Sequence, residues 1–73
     1  MTMTPTEIKS LRESLNLSRS NFGRLLGYGS PYPRIRELEE GLRIPSGPTL
    51  QLLTIIQYLR DNYPKILAKL FYL

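Results

Sequence analysis

Apolar residues recur at spacings of three and four along most of this chain, and the interruptions fall where helices are capped and stopped. Thr4-Pro5-Thr6-Glu7 provides a capping hydroxyl, a proline at the first helical position and a glutamate three residues after the cap, which predicts a helix start. Ile8, Leu11 and Leu15 then form one stripe, with Lys9, Arg12 and Glu13 between them, until Asn16 breaks it. Leu17 and Ser18 read as a staple residue and an N-cap for a short second helix, whose stripe is Phe22, Leu25 and Leu26 and whose end is Gly27. Two glycines and two prolines between Gly27 and Pro33 mark a turn. From about Pro33, Ile35, Leu38 and Leu42 return to helical spacing and should face the core, with Arg34, Arg36, Glu37 and Glu40 on the other side and Gly41 as the stop.

Ile44 to Pro48 reads as a second loop, in which Ser46 and Pro48 announce a fourth helix. That helix carries Leu50, Leu52, Leu53, Ile55, Ile56, Tyr58 and Leu59, too many apolar positions for one stripe, and is expected to be buried on more than one side. Asn62-Tyr63-Pro64 is a break and restart before a last segment, Pro64 to Leu73, with only two lysines. Alternation with period two never persists, so no strand competes. The expected fold is all-α: a compact bundle of about five short helices in a single domain over residues 1–73, with 64–73 as a C-terminal helix.

Composition narrows the chemistry. Seventy-three residues without Cys, His or Trp leave room for one domain and exclude disulfides, soft-metal sites and Cys or His nucleophiles. The remaining Ser, Asp, Glu, Lys and Tyr form no recognisable pairing of nucleophile and base, so the expectation is a binder, not an enzyme, without cofactor or metal. Ten Lys and Arg against six Asp and Glu give +4, which fits either an anionic partner or simply a basic surface. The N-terminus has no basic segment followed by an apolar stretch, and no window approaches ~18 uncharged apolar residues, so a cytoplasmic protein with no membrane partner is expected.

Organisation decides between the two readings of the charge. Two short amphipathic helices joined by a glycine-containing turn, with one helix before and one after, make a helix-turn-helix, whose second helix can enter a DNA major groove. The run Leu11-Arg12-Glu13-Ser14-Leu15-Asn16-Leu17-Ser18-Arg19, then Leu25-Leu26-Gly27, then Leu38-Glu39-Glu40-Gly41-Leu42-Arg43-Ile44-Pro45 resembles the lambda-repressor-like (Cro/C1-type, XRE) helix-turn-helix family of phage and bacterial regulators, over about Thr4 to Leu59. The resemblance implies double-stranded DNA as partner and an ion pair between Arg12 and Glu39 that holds the third helix to the first; the alternative is two solvated charges. It also places Tyr32, Pro33, Arg34 and Glu37 toward base edges and Arg36 near the backbone. The stretch from Gly27 to Glu39 departs from the family's pattern by about two extra residues and by Pro31 and Pro33, which leaves the register there open.

Side-chain chemistry stands beside the resemblance. Arginine suits guanine and a carboxylate suits cytosine N4, so Tyr32, Arg34, Glu37 and Arg36 are the reading candidates. Three of them have a plainer role: Arg36 pairing with Glu39 or Glu40, Glu37 solvated, Tyr32 packed on the loop. Phosphate contacts are expected at the start of the second helix, around Ser18 and Arg19, with Asn21, Arg24, Ser30 and Arg43 as further candidates; each also reads as an ordinary surface residue, and Ser18 as a cap. Charge sums to +2 over residues 1–31, 0 over 32–46 and +2 over 47–73, so the charge surplus lies outside the reading helix.

Ile66, Leu67, Leu70, Phe71 and Leu73 exceed what one small core absorbs and are assigned to a dimer interface, the alternative being a fifth core helix. The functional expectation is a repressor of phage or plasmid type, binding a palindromic operator as a homodimer, with its own promoter among the candidate targets. The alternative is an antitoxin-like module that covers a partner protein with its C-terminal segment.

Overall fold

The computed structural model describes residues 2–71 and contains five helices and no strand among them. They are α1 (Pro5–Ser14), α2 (Arg19–Leu25), α3 (Pro31–Glu39), α4 (Gly47–Asn62) and α5 (Pro64–Phe71), in agreement with the all-α bundle expected. The starts follow the predicted caps. In α1 the Glu7 amide donates to Thr4 Oγ1 at 3.1 Å and the Thr4 amide donates to Glu7 Oε1 at 2.9 Å, a reciprocal capping box. Ser18 Oγ accepts from the Asn21 amide at 3.1 Å and Ser46 Oγ from the Thr49 amide at 3.4 Å, which opens α2 and α4.

The ends of α1, α2 and α3 share one construction. Asn16, Gly27 and Gly41 have φ of 57°, 86° and 75°, and just beyond each the amide of Leu17, Tyr28 or Leu42 donates back to Arg12, Gly23 or Glu37 at 3.3, 3.0 or 2.9 Å. Left-handed residues there turn the chain while closing the orphan carbonyls.

Three expectations need correction. Helix α3 begins at Pro31, two residues earlier than the sequence indicated, with Ser30 at the N-cap position. The first-turn amides of a helix have no partner inside it, so proline at its first and third positions costs no hydrogen bond. Leu42 does not reach the core: the chain reverses at Gly41 and leaves it 67% exposed. Helix α4 is likewise covered on one side only. Leu53 and Ile56 are buried and Leu50, Leu52 and Leu59 partly so, whereas Ile55 and Tyr58 face outward, because a bundle this small has no further element to cover them.

One core joins all five helices through Ile8, Leu11, Phe22, Ile35, Leu38, Leu53, Ile56 and Leu67, with Met3 closing one end. Helix α3 packs on both α2 and α1, and α5 packs on α4. The apolar residues of α5 divide by face. Leu67 is 2% exposed and Phe71 packs partly buried against the core, while Ile66 and Leu70 stay exposed. Residues four apart share a face, so one pair must turn inward when the other turns out. Leu67 therefore leaves the interface set, Phe71 belongs chiefly to the core, and Leu73 lies outside the described residues.

Candidate nucleic-acid interface

Three helices position the candidate surface. Ile35 and Leu38 anchor α3 in the core, which leaves Tyr32, Arg34, Arg36 and Glu37 on its outer side. Gly23 of α2 is buried directly under Pro31, and the absence of a side chain there lets the two backbones meet at the start of α3. Across the turn, Tyr28 Oη and Thr49 Oγ1 lie 3.3 Å apart and tie the connection to α4.

Glu39 is the buried charge of the fold, its side chain 1% exposed. Arg12 of α1 grips it side-on, with Nε donating to Oε2 at 2.6 Å and Nη2 to Oε1 at 3.2 Å, while Nη1 donates to the Leu17 carbonyl at 2.9 Å. Arg19 of α2 donates through Nε to Glu39 Oε1 at 3.1 Å. A planar fork matched to a carboxylate gives a directional grip, and two of them keep the buried charge compensated. No buried side-chain nitrogen or oxygen among the described residues lacks a partner.

Arg19 has a second neighbour. Its guanidinium lies over the Tyr32 ring, 5.7 Å from the centroid, a cation–π contact between the start of α2 and the start of α3. The Tyr32 side chain first and the Glu39 carboxylate second push Arg19 above its usual value.

The outer side of α3 holds a further set of pairs. Arg34 Nη1 donates to Glu37 Oε1 at 3.1 Å, and Arg43 Nε, from the loop after α3, lies 3.3 Å from the same oxygen. Arg36 Nη1 donates to Glu40 Oε1 at 3.2 Å. Of the remaining candidates, Arg24 donates to Asn21 Oδ1 at 3.3 Å on the exposed side of α2, Ser18 uses its hydroxyl as the cap, and Ser30 sits at the N-cap position of α3 without a side-chain cap bond. Among the described residues no group of acidic, His or Cys side chains is arranged to hold a metal ion, and no helix is long and apolar enough to cross a membrane.

Two of the contacts that sequence reasoning overlooked fix how the helices meet. Gly23 reads as a weak helix former, and its only signal is its place between Phe22 and Leu25 on a face that must pack. Arg19 as second partner of Glu39 has no local signal, because the two residues are twenty apart in sequence.

Two helices joined across Leu26–Ser30, the second presenting arginines outward from an apolar seat, define a helix-turn-helix DNA-binding module. The model of the family described as "Helix-turn-helix" matches residues 8–55. The chain belongs to this family, the Cro/C1-type (XRE) DNA-binding transcriptional regulators, which is not a family of enzymes. It is 37% identical over 57 residues, 78% of its length, to the antitoxin HigA-2 of Vibrio cholerae serotype O1 (strain ATCC 39315 / El Tor Inaba N16961), of which it spans about half, 53%. No solved structure is significantly similar to it.

Proposed function

We propose that this DNA-binding regulator is a cytoplasmic repressor that binds a palindromic operator as a homodimer, its own promoter among the candidate targets. The observation that carries this reading is the outer side of α3, where Tyr32, Arg34 and Arg36 project from a helix fixed in the core by Ile35 and Leu38. In the groove, Arg34 and Arg36 supply bidentate donors for guanine and Tyr32 a stacking or hydroxyl contact. Arg19, Arg24 and Arg43 supply phosphate contacts around it. One such module covers one half-site, and a second copy supplies the other. The exposed apolar side chains Ile66 and Leu70 of α5, with Ile55 and Tyr58 of α4, support a pairing surface.

The test is selection of duplexes from a random pool with the purified protein, then a salt titration of the recovered site. An enriched palindrome is expected, with log K falling by roughly 0.9 per unit of log salt for each phosphate neutralised. Failure to enrich a palindrome, or a flat titration, overturns the reading.

A second reading draws on the similarity to an antitoxin. In it the exposed side of α5 covers a partner protein in place of a second copy. Sedimentation separates the two: a symmetric dimer of the isolated chain supports the repressor, and a monomer that pairs with a partner supports the antitoxin.

A further inference from the structure

Glu37 of α3 and Glu40 at its C-cap have no part in the contacts just assigned, yet they hold the arginines of α3 and of the loop after it. Glu37 takes Arg34 of α3 and Arg43 of the following loop on one oxygen, at 3.1 and 3.3 Å, and Glu40 takes Arg36 at 3.2 Å. Every arginine between residues 31 and 46 thus has a carboxylate partner in the free protein, Glu37 serving two of them and Glu40 the third, while Glu39 is taken by Arg12 and Arg19 from outside this stretch. The pairs are accessible: Arg36 and Glu40 are 44% and 43% exposed, and Arg43 is 50% exposed.

A phosphate offers a guanidinium the same charge-assisted hydrogen bonds as a carboxylate. Glu37 and Glu40 therefore compete with the DNA backbone for the arginines nearest to it. On DNA of arbitrary sequence, phosphates are all that the arginines gain by exchange. At a matching site, base edges add contacts that a carboxylate cannot imitate, and an arginine already steadied by Glu37 or Glu40 needs less rearrangement to reach them.

We propose that Glu37 and Glu40 are specificity-determining residues: by occupying Arg34, Arg36 and Arg43 they lower affinity for DNA of arbitrary sequence more than affinity for the matching site. This rests on the placement of α3 in the groove given above.

The experiment measures binding of the full chain by fluorescence anisotropy to the duplex recovered by selection and to a scrambled duplex of equal length, across a range of salt. The variants are Glu37→Gln, Glu40→Gln and, as a control with the same change of net charge, Glu13→Gln on the exposed side of α1. Glu37→Gln and Glu40→Gln should bind the scrambled duplex roughly two- to fivefold more tightly, as expected for release from a surface ion pair. The salt slope should steepen by about one for each arginine freed. The preference for the selected duplex should fall by a similar factor, Glu13→Gln should change little, and adding Arg43→Ala to Glu37→Gln should remove the share of the gain that Arg43 supplies and leave that of Arg34. Equal gains in all three single variants would mean general electrostatics and overturn the inference. So would a change in the preferred base at one position without a gain on the scrambled duplex, since Glu37 would then be reading a base. Wild-type protein that binds neither duplex overturns the placement of α3 itself, whereas wild-type binding with unchanged glutamine variants overturns this inference alone.

Discussion

Gly23 and Pro31 bring α2 and α3 into backbone contact: a Cβ built on Gly23 would lie 2.6 Å from the Pro31 Cα and 2.8 Å from its carbonyl oxygen. At an exposed position inside a helix, alanine is more stable than glycine by about 1 kcal/mol. Here the sign reverses. Gly23→Ala forces the two helices apart and should destabilise by about 1–3 kcal/mol, the usual cost of overpacking. Against a total of roughly 4–11 kcal/mol for a chain this size, a urea titration should show it as a clear fall in midpoint. An unchanged midpoint would show that the helices separate freely at this point.

The double grip on Glu39 predicts unequal costs for its partners. Glu39→Ala leaves two arginines facing an uncharged pocket and should cost roughly 2–4 kcal/mol, below the full penalty of breaking a buried pair because Arg12, 13% exposed, reaches water. Arg12→Ala should cost a similar amount, since it also releases the Leu17 carbonyl. Arg19→Ala keeps the bidentate Arg12 grip and should cost less than about 1 kcal/mol. Denaturant midpoints of the three variants check the order; Arg19→Ala proving the costliest would contradict it.

Neighbouring residues of α5 should behave in opposite ways. Leu67→Ala opens a cavity in the core and should cost about 2–5 kcal/mol. Leu70→Asp alters a side chain that is 60% exposed and should leave the monomer folded. If α5 pairs two copies, sedimentation of Leu70→Asp gives monomers and operator binding weakens. A Leu70→Asp protein that still sediments as a dimer places the contact elsewhere.

The capping box also responds to pH. The Thr4 amide, and then its hydroxyl, hold the Glu7 carboxyl below its ordinary value of 4.5. A depressed carboxyl stabilises the fold fully above that ordinary value, and the contribution is lost as pH falls through the lower folded value. The stability gap between wild type and Glu7→Gln should therefore be present at pH 7 and shrink on acidification below about 4.5, read by thermal melts at stepped pH. A gap that stays constant to pH 2 would exclude this origin.

Local chemistry was legible in the chain, and long-range fit was not. Thr4, Ser18 and Ser46 as starts and Gly27 and Gly41 as stops depend on a few adjacent residues, and each stands where its residue type indicated. The start of α3 was misplaced because two prolines in seven residues read as a turn, although both also fit the first turn of a helix. Leu42 keeps the spacing of a core residue, but spacing carries no record of the reversal at Gly41. The outward Ile55 and Tyr58 of α4 and the inward Leu67 of α5 depend on how many neighbours the bundle has, a property of the assembled fold. Among the candidate site residues, the outward positions of Arg34, Arg36 and Glu37 followed from periodicity; which carboxylate each arginine holds came only with three-dimensional placement.

Pro31 and Pro33 occupy the first and third positions of α3. Each ring fixes φ near the helical value, so the unfolded chain surrenders less freedom when this turn forms, by about 0.4–1 kcal/mol per proline where the geometry is compatible. Nine residues alone would make a marginal helix in water. Seated on Gly23 and started by two rings, this one is formed before any partner approaches, so encounter requires no folding step and its rate is set by diffusion and orientation.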